Sequence, residues 1–265
     1  MQQLVRSFFA AHPDLTFRAL GSRANRDALD LAPFGHTVDY LDAEDHAGWI
    51  HQYHRANQLA FPGPLALPGW VLVDCYLLPA AIGLLTGPAR LLDDRSQRAL
   101  ELAPDAHAIG AAYYAVPCIK ERVVLGCSLF SFLSGSGAAA IVKALTLRML
   151  KARVQRGVAQ WTSPSLRVHT RMGPLCLEGP PPPTHGKAAE SFVYSVDLAD
   201  ASAWRQAMTR QPRQDPPADD PRWIATHDRR ALDRLLARAR AGEPIFILPP
   251  GLRSDGAAVL IEARR

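Results

Sequence analysis

Residues Ser134–Leu145 read SGSGAAAIVKAL. They follow an apolar run, Arg122–Leu133 (RVVLGCSLFSFL), and lead into a helical pattern that extends to about Ala152. A strand, a Gly-rich turn and a helix in that order leave backbone N–H groups unpaired at the positive end of the helix dipole. Gly135 and Gly137 let the backbone approach an anion closely. Ala138, Ala139 and Ala140 keep side chains out of the way, and Ser134 and Ser136 add hydroxyl donors. Such a loop suits a pyrophosphate. It suits a crowded strand-to-helix turn equally well, where small residues are structural. The Lys-Ser/Thr pair of a P-loop is missing, and the spacing is not the dinucleotide GxGxxG.

Upstream, Ala108–Pro117 and Arg122–Leu133 are two apolar segments joined by the polar turn IKE, which predicts an antiparallel hairpin. Trp70–Leu78 (WVLVDCYLL) reads as a strand with Asp74 as its one charged member. Asp42–Ala60 reads as a helix with acidic residues in its first turn, and His46, Trp49, Ile50, Tyr53, Asn57 and Ala60 share a face. Residues 3–11 predict a short amphipathic helix, and Ser96–Leu102 another short one. Downstream, Gly157–Trp161 predicts a strand, Pro164–Met172 a short helix, Pro174–Leu177 the start of a strand and Glu190–Leu198 a closing strand. Thr209–Arg222 has linker composition. Asp228–Ala241 follows as an Arg-rich helix with Asp228 as N-cap and Gly242 past its end, then a hairpin of Ile245–Leu248 with Ala258–Ile261.

This order predicts a mixed α/β or α+β sheet, mostly antiparallel. The boundaries expected are a main domain over 1–208, a linker over 209–222, and a helix-plus-hairpin appendage over 223–265 that docks on the main body or on a second copy. The chain has 265 residues, 48% of them hydrophobic and 21% charged, which excludes disorder as its ground state. Its net charge of +5 comes from arginines interspersed with acids, so no compact basic stripe points to nucleic acid. No apolar run of about 18 residues predicts a membrane span, and no secretory leader is legible. The four cysteines are widely spaced without a CxxC pair, so a cytoplasmic protein with reduced thiols is expected.

The segment from Thr162, TSPSLRVHTRMGPLCLEG, adds spacing to the loop. Together they resemble the GNAT superfamily of acyl-CoA-dependent acyltransferases. Ser134, Gly137 and Ala139 stand at the positions of its (Arg/Gln)-x-x-Gly-x-(Gly/Ala) loop. Thr162, Ser165, Val168, His169, Gly173 and Pro174 follow the order and spacing of its Asn-x-x-Ala-x-x-Leu-Tyr-x-x-x-Gly-Phe segment. The resemblance spans about 108–198 in topology, with sequence support between about 134 and 179. It departs where Ser134 replaces Arg or Gln, Thr162 replaces Asn, His169 replaces Tyr and Pro174 replaces Phe.

The resemblance implies a central sheet with a splayed strand pair and helices on both faces. It also implies acetyl-CoA or another acyl-CoA as co-substrate and a small-molecule amine as acceptor. Gly135, Ser136, Gly137, Ala138 and Ala139, with Ser134, would hold the pyrophosphate, and Leu129, Phe130 and Phe132 would flank the acyl group. His169 would protonate the leaving thiolate, an act suited to imidazole near neutral pH, or else pack beside the loop. Asp74 and His46 are candidates for the base or a substrate clamp, with Asp105 and His107 behind them. A GNAT-fold binding or assembly protein without transfer activity is the rival expectation, favoured by the missing Arg/Gln and Asn.

Other constellations carry less. His51 and His54 lie one turn apart but lack a third metal ligand. Gly126–Phe130 (GCSLF) lacks the final Gly of a nucleophile elbow. Cys118 lies beside Lys120 but reads as structural. Trp49, Tyr53, Phe61 and Trp70 suit either a substrate pocket or an ordinary core.

Overall fold

The computed structural model describes residues 2–30, 38–69, 71, 81–118, 120, 122–133, 135–183, 185–199 and 214–264. The chain divides into two compact units, Met1–Ala152 and Arg153–Arg265. Each carries a mostly antiparallel sheet with helices packed on it.

In the first unit α1 (Gln2–Ala11) turns into β1 (Thr16–Gly21), and β2 (Asp39–Asp42) runs parallel to it at the sheet edge. After α2 (Ala47–Ala60) comes β3 (Ala81–Pro88), then α3 (Asp94–Ala99), β4 (His107–Pro117), β5 (Val123–Ser131) and α4 (Ala138–Met149). The strands lie in the order β2-β1-β3-β4-β5, and β1–β3, β3–β4 and β4–β5 pair antiparallel. Alternation of side chains gives each face its helix. Leu84, Ala112 and Phe130 face α2, where the Tyr53 and Phe130 rings lie 5.7 Å apart. Gly83 and Tyr113 face α4, where Thr146 leaves no room for a Cβ on Gly83 and Lys143 Nζ lies 6.0 Å from the Tyr113 ring centre.

The second unit begins with β6 (Val154–Gln160) and the single-turn α5 (Leu166–His169). It continues through β7 (Leu175–Gly179), β8 (Ser191–Asp197), β9 (Trp223–Ala225), α6 (Arg229–Arg240), β10 (Ile245–Leu252) and β11 (Ala258–Ala263). Its strand order is β6-β8-β7-β10-β11-β9, every described pairing antiparallel. The last strand of the 108–198 stretch therefore inserts between the two before it, a crossover that local sequence pattern does not reveal. Asp228 caps α6 by accepting from the Ala231 N–H at 3.0 Å, and Gly242 follows the helix with φ +93°. Leu232, Leu235, Leu236 and Ala239 bury its inner face.

Several boundaries differ from the sequence expectation. The Asp42–Asp45 stretch is not the first turn of α2. Asp42 ends β2, and Asp42 and Asp45 instead hold the Arg23 guanidinium. The edge pairing and the ion pairs fix the chain before the helix begins at Ala47. Strands β1, β2 and β3 were not expected. The strand expected at 70–78 lies outside the described residues apart from Val71. Asp215, within the stretch of linker composition, accepts from Arg167 Nη1 at 2.8 Å and from the Ser254 N–H at 2.7 Å.

Candidate functional site

The Gly-rich loop joins β5 to α4 in the first unit. Gly135 and Gly137 adopt φ of +69° and +78°, the left-handed region that side chains resist, so glycine is favoured at both. A Cβ at either would meet nothing within 4 Å, which leaves the loop backbone open on that side. Ser136 ties the turn together: its hydroxyl donates to the Leu133 carbonyl at 2.8 Å and accepts from the Ala138 N–H at 3.1 Å. The Gly137 carbonyl accepts from the Ala140 and Ile141 N–H groups and so starts the helix. Among the described residues the N–H groups of Gly135, Ser136, Gly137 and Ala139 have no acceptor, whereas that of Ala138 is satisfied by Ser136. Helix α4 is buried from Ala140 to Leu147, while its N-terminal end at residues 135–137 faces solvent, where an anion can reach it. Ser134 lies outside the described residues.

The strand feeding this loop is irregular. The β4–β5 register shifts between Tyr114 and Ala115, which face Ser128 and Gly126, and leaves Cys127 as an extra residue in β5. Bulges of this kind re-aim side chains and recur beside active sites. Beyond it Leu129 pairs with Tyr113, and Phe130 is buried among the α2-side apolar residues. The Phe130 and Phe132 ring centres lie 5.3 Å apart, and the Phe132 N–H donates to the Gly110 carbonyl at 2.8 Å. On the α2 side Asn57, fully buried, donates to Ser128 Oγ and accepts from the Leu67 N–H, both at 2.8 Å.

His46 and His107, 61 positions apart in the chain, come together. His46 is exposed at the N-cap of α2, where no side chain caps the helix, and His107 opens β4. Both line an open cleft of about 460 Å3 with Asp45, Trp49 and Gln52. Gln52 fixes the wall by donating to the His107 carbonyl at 3.1 Å and accepting from the Ile109 N–H at 2.8 Å. Asp105 is exposed and pairs with Arg90 at 3.6 Å. Asp74 lies outside the described residues.

His169 belongs to the second unit. It ends α5, its N–H donates to the Ser165 carbonyl at 2.8 Å, and its side chain is buried with the ring 5.3 Å from that of Tyr194. The Tyr194 hydroxyl, accepting from Gln155 Nε2 at 2.9 Å, packs against Gly157, and burial pushes its phenol well above the ordinary value. Arg171, two residues on, is held below the usual arginine value by burial and then by the like charge of Arg167. Among the described residues no group of three or more His, Cys, Asp or Glu is placed to hold a metal. None of the described helices is long and apolar enough to cross a membrane.

The bulge at Cys127 and the shared cleft of His46 and His107 were missed in sequence. The first depends on register and the second on the Gln52 clamp. The SGSGAA turn was legible because positive φ favours glycine.

No family model matches the chain, and no curated protein is similar to it. Among solved structures it is similar to a candidate acetyltransferase of the GNAT family from Desulfovibrio desulfuricans, with a TM-score of 0.40 and 11% identity over 70% of this chain and 99% of that one. It is also similar to yncA, a candidate acetyltransferase from Salmonella typhimurium solved with its cofactor acetyl-CoA, with a TM-score of 0.39 and 12% identity over 60% of this chain and 92% of that one.

Proposed function

We propose that the protein is an acyl-CoA-dependent acyltransferase acting on a small-molecule amine. One observation carries this: a bulged strand ends in a loop with two positive-φ glycines, open space beside both, and four N–H groups that have no acceptor among the described residues, at the head of a buried helix. That is a cradle for a diphosphate. Gly135, Ser136, Gly137 and Ala139 bind it through their N–H groups, Ala138 shapes the turn, and Ser134 completes the loop sequence. The acyl arm then runs back along β5, past Phe132 and Phe130 towards Leu129.

The chemistry asked of the chain is modest. A backbone N–H of the bulged strand donates to the thioester oxygen as the acceptor amine attacks the carbonyl carbon. The C–S bond breaks, the thiolate takes a proton from water, and the new ammonium loses one to a base. His46 or Asp74 fills that last role, with His107 beside His46 in the cleft. The burial of His169 against Tyr194 favours a second reading, in which the fold binds the coenzyme without transferring its acyl group.

Thermal shift and calorimetric titration with acetyl-CoA and longer acyl-CoAs test the proposal. A ligand that binds only the folded state raises Tm with the logarithm of its concentration over Kd. Saturable binding that is lost in Gly137→Glu is expected, because the new side chain strains the turn at φ +78° and its carboxylate repels the diphosphate. No shift with any acyl-CoA up to about millimolar concentration, where binding free energy falls to ~4 kcal/mol, would return the loop to a structural turn.

A further inference from the structure

Strand β4 carries an irregularity of its own close to the Gly-rich loop. Leu85 of β3 pairs with Ala111 and Thr86 pairs with Ile109, so Gly110 is left as an extra residue in β4. A bulge raises the local twist and re-aims what lies beside it. On the β5 side the Gly110 carbonyl accepts from the Phe132 N–H at 2.8 Å, one residue past the end of that strand. Gly110 is buried and its φ lies outside the left-handed region, so glycine is needed here for space and not for conformation. A Cβ on it would lie 2.6 Å from Leu133 Cδ1 and 2.9 Å from Leu133 Cγ. Turning a terminal methyl does not relieve the contact with Cγ. Any side chain at 110 therefore moves Leu133.

Close approach at a strand glycine is by itself a packing fact. Leu133 gives this one a consequence. Its side chain packs on the α2-side core, its N–H donates to Ser131 Oγ at 3.2 Å, and its carbonyl accepts from the Ser136 hydroxyl at 2.8 Å. The same hydroxyl accepts from the Ala138 N–H at the start of α4. A line of contacts thus runs from Gly110 through Leu133 and Ser136 to the first residue of the helix. It holds the turn in which the Gly135, Ser136, Gly137 and Ala139 N–H groups lie.

We propose that Gly110 is a positioning residue for the Gly-rich loop: the notch left by its missing side chain seats Leu133, and that seat sets where the loop N–H groups point. Its bearing on function rests on those groups holding the diphosphate of an acyl-CoA. Gly110 touches no ligand and acts through Leu133. Hydrogen bonds weaken steeply once the donor angle falls below ~120°, so a loop turned out of its seat loses several donors together.

Calorimetric titration with acetyl-CoA of the full chain, Gly110→Ala, Leu133→Ala and the double variant tests it, well below each Tm so that only folded protein is titrated. Residue-resolved amide exchange at Ala138 without ligand is the second readout. Gly110→Ala is expected to weaken acetyl-CoA about tenfold, ~1.4 kcal/mol, and to speed exchange at Ala138 as the Ser136 bond loosens. Leu133→Ala empties the notch and should act in the same direction, and it carries the test if Gly110→Ala does not fold. In the Leu133→Ala background Gly110→Ala should change affinity by less than about twofold, because no side chain is left to displace. A lower Tm with unchanged affinity and unchanged Ala138 exchange would make Gly110 a packing residue only, overturning the proposal while leaving acyl-CoA binding intact. Equal losses in the two backgrounds would overturn the route through Leu133. If the wild type binds no acyl-CoA, the acyltransferase falls and the exchange still decides: faster at Ala138 in Gly110→Ala keeps the positioning role, and an unchanged rate removes it.

Discussion

At Asn57 one buried amide does two jobs: it donates to Ser128 beside the β5 bulge and accepts from the Leu67 N–H beyond the end of α2. Removing it strands the buried Ser128 hydroxyl and the half-buried Leu67 N–H. Asn57→Ala is therefore expected to cost about 1–3 kcal/mol, the penalty of one unsatisfied buried group, seen as a lower urea midpoint with unchanged slope. Lys143 is an amine with no exposed surface whose proton affinity burial drives well below the ordinary 10.5. The unfolded chain keeps that proton up to about 10.5 and the folded chain gives it up earlier. Between those two values the unfolded state binds more protons, so stability rises with pH across the window. Lys143→Met should raise Tm at pH 7, by about 2–4 °C per kcal/mol gained, and should flatten the rise. A variant whose melting follows the wild-type pH curve would show that the lysine is not the group responsible.

Among the elements, the run from β4 through β8 was legible because each piece announces itself. The hairpin has two apolar runs about a polar turn, the loop has its glycines, and α4 has its alanines. Strand β3 was not legible, and the reason lies in Gly83 and Gly87. In sequence these are breakers, but in the fold they are points of close approach, to Thr146 of α4 and to the Asp14 carbonyl and Leu91. Gly83→Ala should destabilise by about 1–3 kcal/mol, the usual cost of overpacking, and Thr146→Ala in the same chain should recover part of it. Full additivity of the two losses in denaturant melts would refute that contact. The short β2 was hidden for another reason: its DYLD sequence has little apolar pattern, and Asp39 and Asp42 are used in ion pairs with Arg18 and Arg23.

For the whole molecule, the segment 223–265 reads in sequence as an appendage. Within the second unit it supplies β10 to the edge of β7, two further strands beyond it, and α6 against β7. Leu232, Ile245, Ile247 and Val259 have no exposed surface. Deleting 223–265 uncovers that apolar surface and the β7 edge, so the shortened chain is expected to aggregate on expression. Soluble, cooperatively melting protein from the same deletion would show that the rest of the second unit does not need these strands. Pairing order was the least legible property throughout, because strand neighbours are set by contacts distant in sequence.

The acyltransferase proposal depends on whether the open N–H groups of the loop meet a phosphate. Hydrogen–deuterium exchange over residues 135–139, with and without saturating acetyl-CoA, reads those groups directly. Marked slowing confined to this segment and to β5 is the result predicted, with no slowing in Gly137→Glu. Exchange at Gly135–Ala139 that stays at its free rate while acetyl-CoA is demonstrably bound would contradict the phosphate cradle.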